Sequence, residues 1–184
     1  MNPSGKLPFS FPAKLTDCGA HAFDELSYPG DSIKQEYKED ILVGYRWHDT
    51  KEIPALFPFG HGLSYTTFTY GKPVASAKAM AADGTLTVTV AVKNTGSIAG
   101  KEIVQLYVGD DKCSVLRPVK ELKHFAKVGL APGEEKSVTF TLTPDDLKFY
   151  DEASAAWKYE PGKFKAYVCA SSADVRGVVS FEMQ

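Results

Sequence analysis

The chain has 184 residues, 43% of them hydrophobic and 24% charged, and a formal net charge of -2. That length suits one domain, or one domain with an appendage, of ordinary globular composition. The near-neutral charge, with no basic run or Arg-rich segment, argues against nucleic acid as a partner, and no apolar run reaches the roughly 20 residues needed to span a bilayer.

From the N-terminus, MNPSGKLPFSFP carries neither the basic nor the apolar region of a signal peptide, so a native start at Met1 would imply a cytoplasmic protein. Lys6 to Phe11 suggests one short strand closed by Pro12. The segment LTDCGAHAFDELSYPGDS reads as irregular loop, with Pro29-Gly30-Asp31 a strong turn signal. EYKEDILVGYRW, at 36–47, carries an apolar patch between charges. So long a stretch without sustained periodicity is unusual inside a compact domain, and it predicts an arm over residues 1–70 that lies on another surface.

The pattern changes after residue 70. Leu86 to Val92 alternates apolar with small or polar residues and ends at the Asn94-Thr95-Gly96 turn. Strands are predicted over 103–108, 121–130, 136–142, 163–170 and 175–182, with a first one over Val74 to Met80 and a helical turn at Thr143 to Leu147. About seven short strands with regular turns predict a mainly β fold, an immunoglobulin or fibronectin type III β-sandwich over 71–184. No Cys-Trp-Cys framework of the antibody type is present. Trp157, opening WKYEPGKF, is expected to fill the sandwich core.

The candidate site residues lie mostly in the arm. In FPFGHGLSY, at 57–65, Gly60 and Gly62 permit close backbone approach, and Phe57, Phe59, Leu63 and Tyr65 are expected to face whatever the arm covers. Gly-His-Gly lacks the flanking strand and helix of a phosphate loop. Tyr45, Arg46, Trp47, His48 and Asp49 read either as a carbohydrate platform or as a segment in which Arg46 and Asp49 pair locally. Lys123-His124 occupies a predicted strand, where alternation sets Leu122 and His124 on one face and Lys123 and Phe125 on the other. The four histidines show no metal-ligand spacing, and the three cysteines (Cys18, Cys113 and Cys169) suggest free thiols. No cofactor or metal is expected.

The order of NPSGKLPFSFP, YPGD, YKEDILVGYRWHDT, LFPFGHGLSYTTFTY, VKNTGSIAGKEIVQLYV, RPVKELKHFAKVGLAPGE and WKYEPGKFKAYVCASSADVR resembles the C-terminal region of family 3 glycoside hydrolases, the β-glucosidases and β-xylosidases. The resemblance covers essentially the whole chain. It implies that residues 1–70 are the last strand of an α/β sandwich domain plus an interdomain arm, and that 71–184 are a fibronectin III-like module. A retaining glycosidase works with two carboxyl groups about 5–5.5 Å apart. The family's nucleophile stands in a Ser-Asp-Trp type motif, which does not occur here, and its acid/base lies upstream of Asn2 in the family's order. The resemblance therefore assigns no catalytic and no substrate-binding residue, and the chain alone is expected to be inactive. Its expected role is stabilisation of catalytic domains, in cis or in trans, or an oligomer contact. A free-standing carbohydrate-binding module and a subunit of a split glycosidase are the alternatives. Tyr45, Trp47, Phe57, Phe59, Leu63 and Tyr65 are the expected interdomain residues, with 45–49 implied to be an extended segment that clamps two domains. With partner surface missing, Phe9, Phe11, Ile41, Val43, Trp47, Phe57 and Phe59 would favour self-association or a flexible arm.

Overall fold

A computed structural model describes all residues, 1–184. The strands are β1 (Phe11–Pro12), β2 (Ala55–Phe57), β3 (Phe68–Tyr70), β4 (Val74–Ala75), β5 (Ala79–Met80), β6 (Leu86–Asn94), β7 (Gly100–Asp110), β8 (Glu121–Leu130), β9 (Glu135–Leu142), β10 (Phe149–Asp151), β11 (Ala156–Lys158), β12 (Gly162–Cys169) and β13 (Val175–Met183). The one α-helix is α1, Tyr45–Thr50.

Two sheets face each other. One has the order β5-β13-β12-β7-β8. The other is centred on β6, with β9 along one edge and β3 then β4 along the opposite edge. The alternation of LTVTVAV sets the inner layer, because successive side chains of a strand point to opposite faces. Leu86, Val88, Val90 and Val92 are buried and meet Val104, Leu106, Val108, Phe164, Ala166, Val168 and Phe181 from the facing sheet. Each such valine, leucine or phenylalanine side chain, fully removed from water, is worth about 1.5–3 kcal/mol. The mainly β, fibronectin-like sandwich expected from the sequence is therefore the observed fold.

Five details differ from expectation. Lys6 to Phe11 does not form a continuous strand. Leu7 exchanges backbone hydrogen bonds with Gly60 and His61, Pro8 has no N–H to continue the ladder, and only Phe11–Pro12 pairs with β2. The first sandwich strand is broken at Ser76–Lys78, so that β4 pairs with β6 while β5 pairs in parallel with β13. The chain thus changes sheets there, as strands do at sandwich corners. Within the arm, Tyr45–Thr50 is helical, whereas an extended segment was expected.

Trp157 does not enter the core. It sits opposite Tyr150 in the β10–β11 hairpin, which joins neither large sheet. Cross-strand partners share a face, and because Phe149 and Asp151 point inward, Tyr150 and Trp157 point out; Trp157 is 65% exposed. Finally, a bulge between Leu106 and Tyr107 pairs His124 with Leu106 but Leu122 with Tyr107, leaving Lys123 as the extra residue. The simple alternation over 122–125 fails at that point. His124 stacks toward Phe140 of the facing sheet, 6.4 Å between ring centres.

Candidate interdomain surface

Strand β7 is buried on both faces. Val104, Leu106 and Val108 face the core, while Gln105 and Tyr107 face outward and are equally shielded, because the arm lies across this outer face. Strand β3, which the division at residue 70 places in the arm, is laddered to β6 of the sandwich.

Helix α1 joins the two layers. Its entry residue Gly44 has φ 61, a left-handed conformation that glycine adopts without penalty. On one side Trp47 fills a small core of the arm itself. Its Nε1 donates to the Asp17 carbonyl at 3.1 Å, and its ring meets Phe23 edge-on at 5.7 Å. A Cβ at Gly19 would stand 3.2 Å from the indole. On the other side Tyr45 lies 4.9 Å from the Phe59 ring and 5.6 Å from Tyr107, and its hydroxyl accepts the Leu122 N–H at 2.8 Å.

The Gly-His-Gly stretch docks on the same face. Gly60 has φ 79, and a side chain there would collide with the Gln105 amide. That amide donates to the carbonyls of Gly60 (3.3 Å) and Ala170 (2.9 Å), and its oxygen accepts the Tyr107 hydroxyl at 2.6 Å. The Ser172 N–H donates to the Phe59 carbonyl at 2.8 Å. Asn2 closes the arm's start: its Nδ2 donates to the Ala99 carbonyl, and its Oδ1 accepts from the Ser64 hydroxyl and the Tyr65 N–H.

Ion pairs complete the attachment. Asp49 meets Lys120 at 2.7 Å, Lys6 meets Glu102 at 3.1 Å and Arg46 meets Glu121 at 3.1 Å. Burial pushes the Asp49 carboxyl above its ordinary pKa and outweighs the pull of Lys120. Glu121 shows the opposite balance. Burial pushes it up, but Lys123, Arg117 and Arg46 together hold it below its ordinary range. Burial pushes the Cys169 thiol up to about 12, so under the arm it stays protonated and non-nucleophilic at neutral pH. No group of three or more His, Cys, Asp or Glu side chains is placed to hold a metal ion.

The arm leaves an aromatic row on the surface. Phe9 and Phe11 lie 4.7 Å apart, Phe11 meets Phe57 at 6.0 Å, and Phe57 meets His61 at 5.5 Å. Phe9, Phe11 and Phe57 are each more than two-fifths exposed, and Ile41 and Val43 are also exposed. The six expected interdomain residues therefore divide. Tyr45 and Phe59 pack on the sandwich, Trp47 is buried within the arm, Phe57 joins the exposed row, and Leu63 and Tyr65 are exposed without an aromatic partner in it. The residues that hold the arm from the sandwich side (Gln105, Tyr107 and Lys120) were not anticipated. A polar residue inside the apolar run Ile103-Val104-Gln105-Leu106-Tyr107-Val108 was the signal available.

Residues 102–172 match the family described as the fibronectin type III-like domain. Along its whole length the chain is also similar to β-glucosidases. It is 66% identical over 182 residues to β-glucosidase BoGH3A of Bacteroides ovatus, covering 99% of this chain and 24% of that protein. It is 50% identical to thermostable β-glucosidase B of Acetivibrio thermocellus, covering 95% of this chain and 23% of that one. The crystal structure of DesR, a β-glucosidase from Streptomyces venezuelae in complex with D-glucose, superposes with a TM-score of 0.89 at 42% identity, covering 100% of this chain and 23% of that one.

The chain corresponds to the C-terminal, fibronectin type III-like part of family 3 β-glucosidases.

It spans about a quarter of the length of the curated relatives it matches. In the fibronectin type III-like domain the matched segment 102–172 runs from β7 through β12, so it includes the face on which the arm is seated.

Proposed function

We propose that this segment is a non-catalytic stabilising module of a β-glucosidase: the sandwich is an anchor, and the arm fastened to it docks against the parts of the enzyme that carry out hydrolysis. One observation carries the reading. The arm is fixed on its inner side by Gln105, Tyr107, Lys120 and Glu121, while its outer side presents the contiguous row Phe9, Phe11 and Phe57. Burying one such ring is worth about 1.5–3 kcal/mol, so an exposed row is a standing drive to associate. The whole enzyme's reaction would be hydrolysis of terminal β-linked glucose with retention, which requires a matched carboxyl pair; the module's part is to hold the surfaces that carry that pair.

The test is reconstitution. The 184-residue chain is mixed with the Bacteroides ovatus β-glucosidase expressed without its matching quarter. A stable complex, with recovered release of p-nitrophenol from an aryl β-glucoside, is expected. Phe57→Asp should prevent complex formation without unfolding the sandwich. Failure to associate, or release of p-nitrophenol by the 184-residue chain alone, overturns the proposal.

A further inference from the structure

The largest of the molecule's principal cavities, about 890 Å³, lies away from the aromatic row. It is a groove between the arm at Asp40–Arg46, the β7–β8 connection with the start of β8, and the β10–β11 hairpin. Its volume falls in the roughly 300–1,000 Å³ range of small-molecule sites.

Three features define what this groove can hold. First, the hairpin offers flat aromatic surface. Tyr150 and Trp157 meet edge to face at 5.7 Å, both are at least half exposed, and their hairpin joins neither large sheet. Second, its charges cancel. The bases are Arg46, Arg117, Lys123 and Lys148, and the acids are Asp40, Glu121, Asp151 and Glu152. Third, most of these are already paired. Arg46, Arg117 and Lys123 converge on Glu121, Asp151 meets Lys158, and Lys148 meets Asp145. The lining thus presents fixed donors and acceptors side by side, with bases and acids in equal number.

A flat ring beside balanced polar groups suits a ligand with one apolar face and a rim of neutral hydroxyls. A pyranose has that shape. Its axial C–H groups carry slight positive charge and meet the negative face of an aromatic ring, while its hydroxyls both donate and accept. We infer that the groove between the β10–β11 hairpin and residues 40–46 binds an uncharged oligosaccharide, with Trp157 as the stacking platform and Tyr150 bracing it. A polyanion or polycation would meet as much repulsion as attraction there.

Only two tryptophans are present, and Trp47 is 5% exposed, so a ligand that covers Trp157 reports on its own ring. The 184-residue chain is titrated with cellopentaose, laminaripentaose and xylopentaose, and with polygalacturonate as the charged control, while tryptophan emission is followed. A saturable blue shift with at least one neutral oligosaccharide is expected. Trp157→Ala should abolish the shift and weaken binding about tenfold or more by calorimetry. Trp157→Tyr should retain most of the affinity, and Phe57→Asp should leave it unchanged, which separates this site from the docking row. No saturable response to any neutral oligosaccharide up to about 10 mM overturns the inference. So does equal affinity in Trp157→Ala, or a preference for polygalacturonate. Trp157-dependent dimerisation in sedimentation velocity would also overturn it, since a second copy would then be the occupant.

Discussion

The backbone of Gly60 and the side-chain amide of Gln105 occupy one close contact. The Gly60 carbonyl takes a hydrogen bond from Gln105 Nε2, and no room remains for a side chain on Gly60. Gly60→Ala would add a methyl group to a residue at φ 79 and push it into that amide. A loss of about 2–3 kcal/mol in urea unfolding is expected. Gly5→Ala, which meets nothing within 4 Å, should be close to neutral.

Gln105 is fully engaged by three partners beneath the arm. Gln105→Leu would leave two carbonyls and the Tyr107 hydroxyl without partners, and should cost about 2–4 kcal/mol. Tyr107→Phe removes one hydrogen bond and keeps the ring, so about 1 kcal/mol is expected. Equal losses in the two variants would refute the network as described.

Asn94 is wholly buried at the turn after β6. Its Oδ1 accepts from the Thr66 hydroxyl (2.6 Å) and the Gly96 N–H (3.0 Å), and its Nδ2 donates to the carbonyls of Ile98 (2.8 Å) and Leu130 (3.2 Å). Asn94→Ala should destabilise by about 3 kcal/mol or more, because several buried groups lose their partners at once. A loss below about 1 kcal/mol would show that water replaces the amide.

Glu121 supplies an acid-sensitive contribution. Its folded pKa is depressed below the ordinary 4.5, so the unfolded chain takes up the proton first. The stabilisation is then fully present above about 4.5 and is lost as pH falls through the folded pKa. Glu121→Gln should lower Tm at pH 7, and the gap to the parent chain should narrow below pH about 4.5. A gap that stays constant down to pH about 3 would show that the carboxylate charge contributes nothing.

How much of this was legible beforehand differs by element. Leu86 to Val92 and Lys136 to Leu142 were readable because each has one wet and one dry face, and that alternation is local. Trp157 was misplaced because apolarity alone does not say which face of a hairpin a residue occupies; the register opposite Tyr150 does. The bulge at Lys123 was invisible for the same reason, since it exists only relative to β7. In the arm, the glycines and aromatics of FPFGHG indicated close packing, but their partner Gln105 lies far along the chain.

By itself, the sequence determined the sandwich, its strand order in the chain and the resemblance to family 3 β-glucosidases, because patterning and segment order are properties of the chain. Only the tertiary structure decided that the arm seals the outer face of β7, that Phe9, Phe11 and Phe57 form an exposed row, and that Trp157 stands beside a charge-balanced groove. Those facts depend on which distant residues share a surface, and no local pattern carries that information.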